Sequence, residues 1–155
     1  MPILDKKVEA LIRFALAQDS AGRVQAQNEL RNLAEGDVVY HAREEIVSFL
    51  SELDIPVGPK GYDQLVTTLE LAIEEPRLLN DLQNGLYTRA AELCGTPGRR
   101  IERNIRHCIE AAWEIADTKV LNSYFANVIS HRTGKPSTGA FLTRCVREIR
   151  RRLGR

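Results

Sequence analysis

The chain has 155 residues, 43% hydrophobic and 28% charged, with a formal net charge of +1. That balance fits one folded globular domain, with or without a small extension, and argues against a disordered chain. No apolar run approaches the roughly 20 residues of a membrane helix. Asp5 and Glu9 interrupt the stretch where a signal peptide would be unbroken and apolar. Cys94, Cys108 and Cys145 are too few and too scattered for a disulfide framework or a four-ligand zinc site, so a reducing, cytoplasmic setting is expected.

The near-neutral total conceals an asymmetry. Residues 1–85 hold 8 Lys/Arg and 15 Asp/Glu, net −7, whereas residues 86–155 hold 14 and 6, net +8. A basic half can steer toward a polyanion whatever the total charge, because the local field acts on the ligand; two solvated faces of opposite sign are the plainer explanation.

In chain order the pattern reads as helix throughout, with no period-2 alternation to indicate a strand. A first helix is expected over Ile3–Ala17, with Leu4, Val8, Leu11, Ile12 and Ala15 on one stripe. A second is expected from an N-cap at Ser20 to Glu35, with Val24, Leu30, Leu33 and Ala34 on its apolar side and Gly36 closing it. The short break between them favours an antiparallel hairpin. Residues 1–36 are therefore assigned to an N-terminal helical hairpin and residues 37–155 to the main domain, the hairpin being expected either to pack on that domain or to make a homodimer. Asp37 is the expected N-cap of a third helix burying Ile46, Val47, Phe49, Leu50 and Leu53. A constrained connection through Pro56 and Pro59 leads to a helix over Tyr62–Glu74 that buries Leu65, Leu69, Ala72 and Ile73 and stops before Pro76. A short helical turn follows around Leu78, Leu79 and Leu82.

Residues 86–113, LYTRAAELCGTPGRRIERNIRHCIEAAW, carry the most information. A short helix over Leu86–Leu93 is broken at Cys94-Gly95. Thr96 is then the expected N-cap and Pro97 the first residue of a helix running to about Ala116, because proline's missing N–H costs nothing at that position. Two helices joined by a tight glycine-containing turn form a helix-turn-helix pattern. In it Ala91 would allow close approach, Gly95 the sharp turn, and Ile101 the anchor. At 100° per residue, Ile101, Ile105, Cys108, Ile109 and Ala112 fall on one face. Arg99, Arg103, Arg106, His107 and Glu110 lie opposite, flanked by Arg100 and Glu102. Guanidinium groups can donate to guanine O6 and N7, and a carboxylate can accept from cytosine N4. An amphipathic surface helix with ordinary i,i+4 pairs has the same pattern.

The run IERNIRHCIEAAW at Ile101–Trp113 resembles the recognition helix of the stage 0 sporulation protein A effector family, the DNA-binding half of a sporulation response regulator. The likeness extends upstream through Ile55-Pro56, Lys60-Gly61-Tyr62, Leu78-Leu79 and Leu86-Tyr87, and downstream through Lys135-Pro136 and Phe141, covering about residues 41–150. It implies an all-α, six-helix DNA-binding domain built on a helix-turn-helix, pairing in tandem on double-stranded DNA. Positions matching Glu102, Arg103 and Arg106 would face base edges, and the one matching Arg100 would lie beside the duplex. Two departures stand out. The recognition helix is entered through Pro97-Gly98-Arg99, and residues 1–40 read as helices rather than as the family's α/β receiver, so no phospho-acceptor or ion site carries over.

A last helix is expected after Ser137, burying Phe141, Leu142, Cys145, Val146, Ile149 and Leu153 and presenting Arg144, Arg147, Arg150 and Arg151. Arginines at a helix C-terminus also suit the helix dipole. The expected interface is thus Arg100, Glu102, Arg103 and Arg106 toward bases, with Arg99, Lys135, Arg144 and Arg147 toward the backbone. His131–Ser137 holds Gly-Lys-x-Ser letters without the upstream glycine or strand of a P-loop. His41, His107 and His131 have no ligand spacing, and no nucleophile–base or paired-carboxylate arrangement stands out. No metal, no cofactor and no catalysis are expected. The rival reading is a protein-interaction module that sequesters or modulates a related regulator without touching DNA.

Overall fold

The computed structural model describes residues 2–16, 20–58 and 60–155, with backbone alone for residues 2–5, 7, 10, 14, 20, 29, 32 and 34–40. Among the described residues seven α-helices follow in order: α1 (Pro2–Leu16), α2 (Ser20–Glu52), α3 (Lys60–Glu74), α4 (Tyr87–Cys94), α5 (Gly98–Ile115), α6 (Thr118–Phe125) and α7 (Thr138–Arg152). Short 3-10 turns at Pro76–Asn80 and Ala126–Val128 and one π-turn at Leu82–Leu86 link them. No strand occurs among the described residues, in keeping with the all-α expectation. Residues 1–41 and 42–155 form two compact units.

In the first unit α1 is an amphipathic helix whose stripe faces solvent: Val8, Leu11, Ile12 and Ala15 are all exposed. In the start of α2, Val24 is exposed, Leu30 and Leu33 are partly covered, and Ala26 is buried. The expected stop at Gly36 and new start at Asp37 are not observed, because α2 runs unbroken from Ser20 to Glu52. A glycine inside a helix costs about 1 kcal/mol relative to alanine, less than a break in the hydrogen-bond ladder. The expected helix end at Ala17 and the proline at 59 lie outside the described residues, as do the side chains of Leu4, Ser20, Ala34 and Asp37.

The second unit holds one continuous core. The end of α2 contributes Ile46, Phe49, Leu50 and Leu53, all fully buried, while Val47, expected inside, is exposed on the flank of that face. Positions 46, 49, 50 and 53 share one face at spacings of three and four, and 47 does not. The helix ends with Asp54 in the left-handed region (φ 55°) and the Ile55 N–H donating to the Leu50 carbonyl at 3.1 Å. This is a Schellman-type stop with aspartate where glycine is usual.

Helix α3 is central. It buries Leu65, Val66, Leu69, Ala72 and Ile73, and α4, α5 and α7 all pack on it. Against it α7 places Phe141, Leu142, Cys145, Val146 and Ile149, all buried as expected. Ser137 caps α7 by accepting from the Ala140 N–H at 3.1 Å. Helix α6 had no counterpart in the sequence reading; Asp117 caps it, accepting from the Lys119 N–H at 2.8 Å. It brings Phe125 onto Phe141 in a stacked pair (5.2 Å) and against Trp113 edge-on (5.3 Å), so the partly buried Trp113 packs against the core.

Much of the C-terminal arginine run is consumed internally. Arg152 donates to Glu52 at 2.8 and 2.9 Å, to Glu148 at 3.0 Å and to the Tyr124 hydroxyl at 3.0 Å, and lies over the Phe49 ring. Arg150, expected on the outer face, donates to the Ile73 carbonyl in the last turn of α3. Arg155 pairs with Glu74 at 3.0 Å. Arg150 thus meets a carbonyl that α3 leaves without an intrahelical partner, whereas Arg152 and Arg155 meet carboxylates.

Candidate nucleic-acid interface

The site is built on the α4–turn–α5 unit. Helix α4 has eight residues and ends where Gly95 takes φ 63°, ψ 30°, a conformation that costs an L-residue about 1–2 kcal/mol. Gly95 and Thr96 both donate N–H groups to the Ala91 carbonyl. Ala90, rather than Ala91, is the fully buried alanine of α4, because it lies three residues after the buried Tyr87 on the inward face. Thr96 is not the N-cap of α5. Pro97 holds that place with φ −56° and ψ 142°, and its carbonyl accepts from Arg100 and Ile101 N–H at 2.9 and 3.2 Å. The helix begins one residue later than expected, at Gly98, because the Thr96 hydroxyl is drawn inward.

That inward pull comes from α3. Asn104 of α5 donates its amide to Gln64 Oε1 at 2.8 Å, Gln64 donates to Thr96 Oγ1 at 3.4 Å, and Thr96 donates to the Cys94 carbonyl at 3.4 Å. One buried glutamine thus ties the recognition-type helix to the turn that precedes it. Gly61 makes this possible. A Cβ there would lie 2.6 Å from the Asn104 carbonyl oxygen, so α3 and α5 cross at backbone contact.

With its inner face fixed, α5 has no rotational freedom. Ile101, Ile105, Cys108, Ile109 and Ala112 are all buried, as their spacing predicts. Burial pushes the Cys108 thiol up to about 11, so it is un-ionised at neutral pH. Beneath the first turns of α5, burial and then the Glu102 charge push the Tyr87 phenol up to about 12. The opposite face is turned to solvent. Arg99, Arg100, Arg103, Arg106 and His107 are exposed, while Glu102 and Glu110 are partly covered.

Among the described residues the side chains of Arg99, Arg100 and Arg103 have no ion-pair or hydrogen-bond partner. Arg106 donates to Glu102 Oε1 at 2.7 Å and remains 57% exposed. An exposed i,i+4 pair of this kind contributes about 0.3–0.5 kcal/mol and opens readily. The other Glu102 oxygen accepts from Gln83 at 3.0 Å. Nothing in the sequence marked Gln83: it lies 19 positions away, and the π-turn that delivers it has no pattern to read.

Two depressions flank this face. One of about 380 Å³ is lined by Arg99, Glu102, Arg103, Arg106, His107 and Glu110. A second, of about 460 Å³, lies between α5 and the loop before α7, where Arg106, Arg132 and Lys135 are brought together. Arg132 was not among the expected backbone contacts; its neighbour Lys135 was. Arg144 and Arg147 line neither depression. Arg144 is partly buried and donates Nε to the Tyr124 carbonyl at 3.2 Å, while Arg147 is exposed on α7.

Chemically, the arrangement is a row of guanidinium donors along the first three turns of a fixed helix, with one oriented carboxylate among them. No group of three or more His, Cys, Asp or Glu is placed to hold a metal among the described residues. No described helix is long and apolar enough to cross a membrane. Residues 46–149 match the family model described as Sporulation initiation factor Spo0A C terminal. The match begins inside α2 and ends inside α7.

Proposed function

The chain belongs to the Spo0A C-terminal family, a family of DNA-binding regulators of sporulation, and from that premise we propose that α5 enters the major groove and reads sequence there. The observation that carries this reading is the outward row Arg99, Arg100, Arg103 and Arg106 on a helix whose inner face is wholly buried. Side chains that read bases must be held in register yet left unsatisfied by the protein. Arg100 and Arg103 both meet that condition, being exposed and, among the described residues, without a side-chain partner. Glu102 does not meet it, since its two oxygens accept from Gln83 and Arg106, and a cytosine amine would have to displace the exposed Arg106 pair. Arg100, Glu102, Arg103 and Arg106 are assigned to base edges. Arg99, Lys135 and the exposed Arg147 are assigned to phosphates. Arg144 can join them only through the part of its guanidinium not committed to Tyr124.

Fluorescence anisotropy with a randomised duplex pool tests the reading. Binding should be salt-sensitive; if roughly five phosphates are neutralised, log K falls against log salt with a slope of about −4.5. Absence of salt-sensitive binding at low salt would favour the interaction-module alternative, in which the chain modulates a related regulator without contacting DNA.

A further inference from the structure

The N-terminal unit lies outside the family match, which begins at residue 46, and it carries a feature that DNA reading does not use. On α1, Val8 is 48% exposed, Leu11 54%, Ile12 52% and Leu16 73%, and on α2 Val24 is 55% exposed. The four α1 positions fall at spacings of three, one and four, so they line a single side of the helix. Of the described side chains in residues 2–41, Ala26 alone is buried. An amphipathic helix owes most of its stability in water to packing of its apolar face, and on α1 the described part of that face is about half exposed or more.

We propose that this face is a self-association surface, occupied by α1 of a second copy of the chain. Charge is the first argument for that occupant. Residues 1–41 hold five basic and six acidic side chains, intermixed along the helices, and Glu9 and Arg13 lie 3.9 Å apart on α1. A surface evolved for an acidic or a basic partner shows a bias of sign; this one is balanced and sets up no repulsion against its own copy. Area is the second argument. The four α1 side chains expose on the order of 400 Å² per copy, so pairing two copies covers up to roughly 800 Å² of apolar surface, and the flanking polar stems bring the total toward the lower limit of specific interfaces. A two-fold arrangement presents the same patch from both partners, which a single apolar stripe satisfies.

The inference does not depend on DNA reading, and its test uses no DNA. Sedimentation of the full chain, from low micromolar concentration upward, should give a species of twice the 17.5 kDa chain mass. Leu11→Glu and Ile12→Glu should each weaken self-association about 100-fold or more by placing a charge in the apolar contact. Both positions are exposed in the single chain, so the urea transition of residues 42–155 should be unchanged. Leu11→Met, which keeps the apolar volume, should remain dimeric. A wild-type chain that stays monomeric throughout, glutamate variants that still dimerise, or a monomeric Leu11→Met variant would each overturn the proposal.

Discussion

Gly61→Ala is the substitution that most directly probes how α5 is held. A Cβ at position 61 would lie 2.6 Å from the Asn104 carbonyl oxygen, 3.0 Å from its carbon and 3.1 Å from the Asn104 Cβ. Ordinary contact begins near 3.4 Å, so α3 and α5 must part by roughly 0.8 Å. The obstacle is backbone, which cannot rotate aside. Overpacking of this kind costs about 1–3 kcal/mol, and a backbone obstacle belongs in the upper half of that range. Alanine returns part of this through its higher helix propensity, up to ~1 kcal/mol in a helix interior and less in the first turn, where Gly61 sits. The net expectation is a loss of about 2 kcal/mol, equivalent to a fall of roughly 1 M in the urea midpoint. Gly58→Ala, where an added Cβ meets nothing within 4 Å, is the control and should be near neutral. The displacement also strains the Asn104–Gln64 hydrogen bond, so DNA affinity should fall even where the protein stays folded. A Gly61→Ala midpoint equal to that of Gly58→Ala would refute the backbone-contact account of the α3–α5 crossing.

Two further expectations concern the turn and the arginine cluster. Gly95→Ala meets no atom within 4 Å, so its cost is conformational alone, about 1–2 kcal/mol by equilibrium denaturation; a neutral result would mean that the turn does not need its left-handed residue. Arg152→Met removes the guanidinium partner of Glu52 and one of the two on Glu148, which keeps Arg151, and should cost about 2 kcal/mol at neutral pH, below the range for fully buried pairs because Glu52 is 41% exposed. The same variant should change the acid limb of stability. Both carboxyls are held below the usual 4.5, Glu52 chiefly by its hydrogen bond from Arg152, and Glu148 by that from Arg151 and then Arg152. A depressed folded value contributes stability above the unfolded value, and that contribution is lost as pH falls through the folded one. Denaturation midpoints measured from pH 6 downward should therefore fall below about pH 4.5 in the wild type and fall less steeply in Arg152→Met; parallel profiles would contradict the assignment.

The sequence disclosed the parts of the fold governed by local spacing. The buried faces of α3 and α5, the start of α7 after Ser137 and the glycine of the turn follow from periodicity and turn chemistry and are where they were expected, while on the buried face of α7 Leu153 alone is only partly covered. Errors arose where a local signal met a longer-range one. Gly36-Asp37 reads as a stop followed by a cap, yet α2 continues through both. Thr96 reads as a cap, yet Gln64, 32 residues upstream, engages its hydroxyl and leaves Pro97 as cap. Arg150 reads as a solvent-facing base, but the end of α3 comes close enough to accept from it. The site was legible as an arginine face, because amphipathicity shows on one helix. Its support by Gln83, and the meeting of Lys135 and Arg132 with Arg106, depend on elements joined only in the folded chain.

The central claim is that α5 turns partnerless guanidinium groups outward to read bases, and it is tested most directly by measuring Arg103→Ala on a site selected from a random duplex library. The account predicts a loss of about 1–3 kcal/mol on the selected duplex, relaxed preference at one base position, and little change on unrelated duplexes. Equal losses on every duplex would make Arg103 a phosphate anchor, and undiminished affinity and preference would contradict the claim outright.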